Sequence, residues 1–180
     1  MKKILLTLIF IMLIIMILNS KFLMKKIYKT EFGEYVEKYS QENNVDPLMI
    51  YALIKTESNF DEGATSNKGA CGLMQIMDNT AREIAQNTLM EYESGITLYN
   101  PENNIKIGIK YFAELRKTFG NDEIALAAYN AGSGNVNKWI EEGIINANGS
   151  NIENIPYKET NLYVRKTLRN YKIYKYLYNS

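Results

Sequence analysis

The chain has 180 residues, enough for one domain with a single hydrophobic core and a terminal appendage. Its 21 Lys and Arg balance 20 Asp and Glu, so no strong field favours nucleic acid, and a nucleic-acid partner is not expected. The absence of histidine excludes Ser-His and Cys-His catalysis, and a single cysteine excludes an internal disulfide and a cysteine metal cluster. No metal site or cofactor is predicted, and acid–base chemistry falls to Glu, Asp, Lys or Tyr.

An apolar run of fifteen residues, Ile4 to Leu18, interrupted only by Thr7, follows two lysines at the N-terminus. This is the pattern of a secretory signal, but no small-residue cleavage site follows it, and residues 22–24 could extend the run if Lys21 reaches the membrane interface. We predict an uncleaved anchor over residues 1–24 and a short linker over 25–31. The rest of the chain would then lie outside the cytoplasm at a bacterial cell membrane. A cleaved signal and a secreted domain are the alternative, and the flanking lysines do not settle the orientation.

Residues 32–180 form the predicted soluble domain. Its apolar residues recur at helical spacing, with no strand alternation, internal repeat or low-complexity linker, so an all-α fold is predicted. The predicted helices cover residues 32–43, Asp46–Glu57, Asp78–Ala85, Glu102–Phe119, Glu123–Asn130, Asn135–Glu142 and Glu159–Tyr178. A break at the Gly132 segment separates the fifth of these helices from the sixth. The tyrosines near the end of the last helix are too many for one buried stripe, so several should be exposed.

The second predicted helix ends on a carboxylate. Ile50, Leu53, Ile54 and Glu57 fall at i, i+3, i+4 and i+7 and therefore share one face. A carboxyl group at the inner end of a buried stripe is desolvated, which raises its pKa and lets it carry a proton at neutral pH. Such a group can donate that proton to a leaving oxygen. The alternative is that Glu57 lies in a fraying last turn and faces water.

Three blocks of sequence accompany this helix in a specific order. They are Glu57-Ser58 with Gly72-Leu73-Met74-Gln75-Ile76-Met77, then Ala128-Tyr129-Asn130-Ala131-Gly132, then Ile155-Pro156-Tyr157-Lys158-Glu159-Thr160 with Tyr163. Over residues 32–178 their order and spacing resemble the soluble lytic transglycosylase (SLT) domains of the lysozyme-like superfamily. The resemblance implies an all-α fold of the goose-type lysozyme and SLT kind. It also implies cleavage of peptidoglycan glycan strands between N-acetylmuramic acid and N-acetylglucosamine.

The resemblance assigns roles to eight residues. Glu57 matches the single catalytic acid/base of the family, and Tyr129 matches a residue that hydrogen-bonds the catalytic carboxyl. The positions that match substrate-binding or groove residues are Ser66, Gln75, Met77, Tyr129, Asn130, Glu159 and Tyr163. Four of them also have a structural interpretation: Met77 as a core filler, Gln75 as a residue that holds a loop, Tyr129 as packing, and Glu159 as a helix-dipole glutamate. Asp78 and Cys71 depart from the usual pattern, but neither touches the proposed proton chemistry.

Three hypotheses about function remain open from the sequence. The first is a membrane-tethered lytic transglycosylase that acts on peptidoglycan, with cell-wall, secretion or conjugation machinery as a candidate partner. The second is a hydrolytic muramidase on the same fold, which needs a second carboxylate from Asp61, Glu62 or Glu159. The third is a non-catalytic glycan-binding or scaffold module anchored in the membrane, and an intact Glu57 argues against it.

Overall fold

The described part of the chain is all-α. The computed structural model describes residues 2–88, 92–94 and 97–179. Its helices are α1 (Lys2–Ile27), α2 (Gly33–Glu42), α3 (Pro47–Glu57), α4 (Asp78–Thr88), α5 (Pro101–Phe119), α6 (Asp122–Ala131), α7 (Ser133–Glu141) and α8 (Lys158–Tyr178). Short 3-10 turns lie at Thr97–Tyr99 and Ile152–Asn154, and within the described ranges the only β-type pairing is two isolated bridges in the loop after α3. The predicted helix boundaries agree with these bounds to within three residues.

Helix α3 is the centre of the core. Asp46 caps it by accepting a hydrogen bond from the Leu48 backbone N–H at 2.9 Å, and a proline occupies its first turn. Ile50, Leu53 and Ile54 are fully buried, and each such side chain contributes about 1.5–3 kcal/mol relative to exposure. α8 and α2 pack on α3, and α6 packs on α5 and α8. The chemistry-bearing end of α3 is therefore fixed by the most deeply buried segment of the molecule.

The break between α6 and α7 occurs where the sequence predicts it. Gly132 has φ 86°, a conformation that favours glycine, and it ends α6 while opening α7. α7 then buries Trp139, whose ring meets that of Tyr157 edge to face at 5.0 Å between centroids. This contact holds α7 against the start of α8, where Glu159 lies.

The N-terminal helix α1 is continuous and runs past position 24 to Ile27. It spans 26 residues, its most apolar window has a mean hydropathy of 2.4, and none of that window is buried. Length and composition therefore allow it to cross a membrane, although a signal sequence satisfies the same criteria. The division of the chain at residues 24 and 31 stays a prediction.

The tyrosines of the last helix divide as expected between the core and the surface. Tyr174 is fully buried, whereas Tyr176 is 59% exposed. Tyr174 also contacts the segment that follows α1, because its hydroxyl donates a hydrogen bond to the Lys29 carbonyl at 2.8 Å. The end of α8 thus forms part of the connection between the apolar helix and the rest of the domain.

Candidate active site

Glu57 is the last residue of α3, and its carboxylate accepts a hydrogen bond from a buried tyrosine. The hydroxyl of Tyr163 on α8 donates to Glu57 Oε1 at 2.5 Å. α3 stops here because Asn59 and Phe60 both have left-handed φ values, 55° and 70°. The Ser58 hydroxyl donates to the Leu73 carbonyl at 2.8 Å, which ties the end of α3 to the second motif.

One buried asparagine of α5 holds the Gly72–Met77 segment in place. Asn104 Oδ1 accepts from the Met74 backbone N–H at 2.8 Å, and its Nδ2 donates to the carbonyls of Cys71 and Leu98 at 2.9 and 2.8 Å. Gly72 has φ 73°, and a Cβ there would lie 2.3 Å from Asn104 Nδ2 and from the Leu98 carbonyl oxygen. Only glycine fits this close approach, which is the physical reason for the first residue of the motif.

Gln75 and Tyr129 bind this segment from its other side. Gln75 adopts φ 49°, and its side-chain amide donates to the carbonyls of Ala64 and Gly72 at 3.1 and 2.9 Å. The Tyr129 hydroxyl donates to the Met74 carbonyl at 2.8 Å. The expectation that Tyr129 donates to the catalytic carboxyl is therefore wrong, because its hydroxyl proton is committed to the backbone and Tyr163 fills that role.

An open cleft of about 510 Å³ brings most of the predicted site residues together. Its lining is Glu57, Ser66, Asn67, Lys68, Ala70, Gln75, Met77, Tyr129, Asn130 and Glu159. Seven of the eight residues that the sequence singled out line this cleft, and the eighth, Tyr163, contacts the carboxylate of Glu57. Met77 is 42% exposed, so it is a cleft residue and not a core filler, whereas Met74 is fully buried.

The cleft continues into a second hollow of about 410 Å³ along the start of α8. Lys68, Asn130 and Glu159 line both hollows, so the two share a boundary. The second hollow adds Tyr157, which is 50% exposed, and Lys158. Together they form an extended groove with exposed aromatic and polar groups, a composition suited to a carbohydrate chain.

Burial sets the protonation of Glu57. Desolvation is the largest effect and raises its pKa to about 7, while the Tyr163 hydrogen bond and the charge of Lys166 lower it by smaller amounts. Lys166 is fixed nearby because its ammonium donates to the Thr56 carbonyl at 3.0 Å. A carboxyl with this pKa exchanges a proton readily at neutral pH, as the sequence predicted, so it can serve both as an acid and as a base.

The three candidates for a second carboxylate lie in different places. Glu159 is exposed and lines the same cleft as Glu57. Asp61 and Glu62 are exposed in the loop after α3 and do not line the cleft, and Asp61 accepts a hydrogen bond from the Gly63 N–H within its own turn. Glu159 is therefore the one candidate that the fold places beside Glu57.

Four residues of the site carried no individual role in the sequence analysis. Ser58 and Asn104 hold the backbone of the Gly72–Met77 segment through hydrogen bonds. Lys68 lines both hollows, and the charge of Lys166 lowers the pKa of Glu57. The position of Asn104 in α5, thirty residues after Met74, gives no sequence signal of a contact between them. Within the described residues, no three Cys, Asp or Glu side chains are arranged to hold a metal ion.

Comparisons with known proteins agree with this fold. The family model of the transglycosylase SLT domain matches residues 34–148. The soluble lytic murein transglycosylase of Escherichia coli K12 is 34% identical over 149 residues, which are 81% of this chain and 23% of that protein. A putative soluble lytic murein transglycosylase of Haemophilus influenzae is 32% identical over 150 residues, 82% of this chain and 25% of that protein. This chain belongs to the transglycosylase SLT domain family.

Solved structures confirm the predicted all-α, lysozyme-like fold. The 70 kDa soluble lytic transglycosylase of E. coli superposes with a TM-score of 0.78 at 31% identity, over 84% of this chain and 25% of that one. An inactive Glu-to-Gln mutant of the Pseudomonas aeruginosa lytic transglycosylase Slt superposes with a TM-score of 0.75 at 30% identity, over 84% of this chain and 25% of that one. A complex of the 70 kDa soluble lytic transglycosylase with bulgecin A superposes with a TM-score of 0.79 at 31% identity, over 87% of this chain and 26% of that one. The chain thus spans about a quarter of the length of these relatives.

Proposed function

We propose that this chain is a peptidoglycan lytic transglycosylase with Glu57 as its single acid/base. The observation that supports this most directly is one carboxyl with a pKa of about 7 that lines an extended groove and is held by Tyr163. Its relatives are named lytic murein transglycosylases, and one structural neighbour was made inactive by a Glu-to-Gln change. The substrate would be a glycan strand that lies along the groove from Met77 towards Tyr157.

The proposed reaction uses the same carboxyl twice. Protonated Glu57 gives its proton to the glycosidic oxygen between N-acetylmuramic acid and N-acetylglucosamine, and the bond from that oxygen to muramoyl C1 breaks. The sugar's own 2-acetamido group stabilises C1 from the opposite side. The ionised carboxylate of Glu57 then takes the proton of the muramoyl 6-hydroxyl, whose oxygen bonds to C1 and closes a 1,6-anhydro ring. Water is not consumed, and Glu57 ends in its protonated form.

The surrounding residues support these two proton transfers. Tyr163 holds the carboxylate oxygen at a fixed position and stabilises the ionised form that exists between the two steps. Ser66 accepts from the Ala70 backbone N–H at 3.0 Å and Gln75 donates to the Ala64 carbonyl, so both shape the loop that forms one wall of the groove. Met77, Asn130 and Glu159 present apolar and polar surface to the sugars from the other positions of the groove.

The test is to digest purified peptidoglycan with the full chain in a non-ionic detergent and to analyse the muropeptides by mass spectrometry. Ends with 1,6-anhydro-N-acetylmuramic acid that are absent after Glu57→Gln would support both the activity and the role of Glu57. Reducing ends instead would identify a muramidase, with Glu159 as the second carboxylate to test. A folded protein that releases no product would overturn both enzymatic proposals and leave glycan binding.

We also propose that α1 anchors the chain in a bacterial cell membrane with the domain outside the cytoplasm. The length and hydropathy of α1 support this, and one relative is a membrane-bound lytic murein transglycosylase C from Sodalis glossinidius, 34% identical over 56% of this chain and 31% of that protein. Fractionation would leave the chain in carbonate-washed membranes with α1 intact. Recovery of a shorter, soluble form that begins after residue 18 would instead identify a cleaved signal.

A further inference from the structure

The basic and acidic residues of this chain are distributed very unevenly. All 20 Asp and Glu lie between Glu31 and Glu159, whereas the first 30 residues and the last 21 together hold eleven Lys and Arg and no acidic residue. The net charge of +1 is therefore the sum of two strongly basic terminal segments, residues 1–30 and 160–180, and an acidic segment between them. Such a separation of charge predicts a surface with a specific partner if the fold brings the two termini together.

The fold does bring them together, at the point where α1 meets α8. Lys21 lies over the ring of Tyr176 at 4.7 Å, and Lys25 lies over that of Tyr178 at 4.9 Å. The Tyr178 hydroxyl donates to the Tyr28 carbonyl at 2.7 Å, and the rings of Tyr28 and Tyr174 meet edge to face. These contacts attach the end of the apolar helix to the last turns of α8.

Six basic residues lie on the two helices that meet at this junction, and we call them the basic collar. They are Lys21, Lys25 and Lys26 of α1 and Arg169, Lys172 and Lys175 of α8. All six side chains are exposed, and none forms an ion pair with a carboxylate among the residues that the structure describes. On α8, Arg169, Lys172 and Tyr176 fall at i, i+3 and i+7, so they share one face. The collar thus carries six positive charges that the domain itself does not neutralise.

The neighbours of the collar identify the chemistry that would neutralise it. Phe22 and Leu23 are 64% and 60% exposed and lie between the collar lysines of α1, and Tyr176 is also exposed. Aromatic side chains together with Lys and Arg at the end of an apolar helix are typical of the membrane–water interface. Basic residues beside such a helix are attracted to anionic lipids by about 1 kcal/mol each. The collar is also continuous with α1, so a bilayer that holds α1 presents its headgroups to the collar.

We propose that the basic collar docks on the anionic phosphate headgroups of the bilayer that holds α1. This rests on the proposed membrane anchor, and it adds a second contact, made by α8 of the folded domain. Because the collar residues of α8 lie six to twelve residues after Tyr163, docking fixes the Glu57 site about 9–18 Å along that helix from the headgroups. The site would then reach the glycan strands nearest the membrane.

The test compares the full chain in two kinds of lipid nanodisc, one of phosphatidylcholine alone and one with about a third phosphatidylglycerol. The rate at which an amine-reactive ester labels each lysine is measured by mass spectrometry. Lys172 and Lys175 should react about fivefold more slowly in the anionic discs, the factor that corresponds to ~1 kcal/mol. The exposed Lys117 and Lys138, outside the collar, serve as internal controls and should not change. The protection should disappear in about 0.5 M NaCl, where charges are screened within a few ångströms.

A matched pair of variants separates the collar from general charge. Arg169→Gln combined with Lys172→Gln should abolish the protection of Lys175, whereas Lys117→Gln combined with Lys138→Gln should leave it intact. Equal labelling of Lys175 in both discs would overturn the proposal while leaving the anchor and the enzymatic activity standing. Protection by soluble polyphosphate in neutral discs, without protection by phosphatidylglycerol, would overturn it in favour of a soluble polyanion. Release of the chain from both discs would overturn the anchor and the collar together.

Discussion

The two ends of the cleft show how the same functional group acquires different properties. At the inner end, Glu57 is half-buried, its pKa is raised to about 7 and Tyr163 holds it in place. At the outer end, Glu159 in the first turn of α8 is exposed and lines the second hollow together with the exposed Lys68. Both are glutamates that line one cleft, but only Glu57 is partly buried at the end of a core helix and accepts a hydrogen bond from a buried tyrosine. Burial at the end of a core helix, and not membership of the cleft, therefore distinguishes the candidate acid.

The largest effect is expected when the two glutamates are neutralised one at a time. Glu57→Gln should lower kcat by at least about 10³-fold, because removing the group that carries both protons leaves only binding and orientation. Glu159→Gln should cost less than about 10-fold, since an exposed carboxylate at the rim supplies only a sugar contact. The rate of muropeptide release by each variant would measure both losses of activity. Comparable losses from the two variants would favour a mechanism with two carboxylates.

The position of the Gly72–Met77 segment, which contributes Gln75 and Met77 to the cleft, should depend strongly on Asn104. Asn104→Leu keeps the branched shape of the side chain but leaves the Met74 N–H and the Leu98 carbonyl without their partner, so the free energy of unfolding should fall by about 3 kcal/mol. The Cys71 carbonyl loses the Asn104 amide as well but still accepts from the Ile76 N–H at 3.0 Å. The neighbouring, partly exposed Asn103→Ala is the control and should change it by less than about 0.5 kcal/mol. Urea unfolding of each variant and of the parent chain measures these changes in the free energy of unfolding. An equal, small effect from both would mean that the loop keeps its position without this asparagine.

The raised pKa of Glu57 should also make it a source of instability at high pH. Its pKa is about 7 in the folded chain against 4.5 as the ordinary value, so folding favours the protonated form. The stability that this form contributes is complete below about pH 4.5 and is gone once the pH has risen past about 7. Glu57→Gln should therefore unfold like the parent chain at pH 4 and be more stable by about 2 kcal/mol at pH 9. Parallel stability curves for the two proteins would contradict a buried, ionising carboxyl.

Removing single hydroxyl groups should distinguish Tyr163 from Tyr129. Tyr163→Phe removes a hydrogen bond that lowers the pKa of Glu57, so that pKa should rise, and the alkaline limb of the kcat/KM profile should move up by about one pH unit. Tyr129→Phe removes a bond to the Met74 carbonyl, so it should cost about 1 kcal/mol of stability and leave the limb in place. A shifted limb in the Tyr129 variant instead would restore the role that the family resemblance implied for it.

Much of the architecture followed from local sequence because local rules govern it. The cap at Asp46, the glycine at 132 and the spacing of Ile50, Leu53 and Ile54 each act within one or two turns, and all three appear in the structure as predicted. The motif spacing likewise identified the family and the cleft residues. Which tyrosine donates to Glu57 was not predicted correctly, because Tyr163 lies 106 residues away along the chain and no local pattern records that contact.

The amino-acid pattern was enough to predict an all-α member of the SLT family with one candidate acid at the end of a buried helix. Periodic burial and short motifs carry that information, since both are properties of neighbouring residues. Three features became visible only in the folded chain: how Asn104 holds the Gly72–Met77 segment, how far the groove extends towards Tyr157, and where the basic ends of the chain meet. Those features depend on the packing of α5, α7 and α8 against distant segments, and close packing is a property of the whole fold.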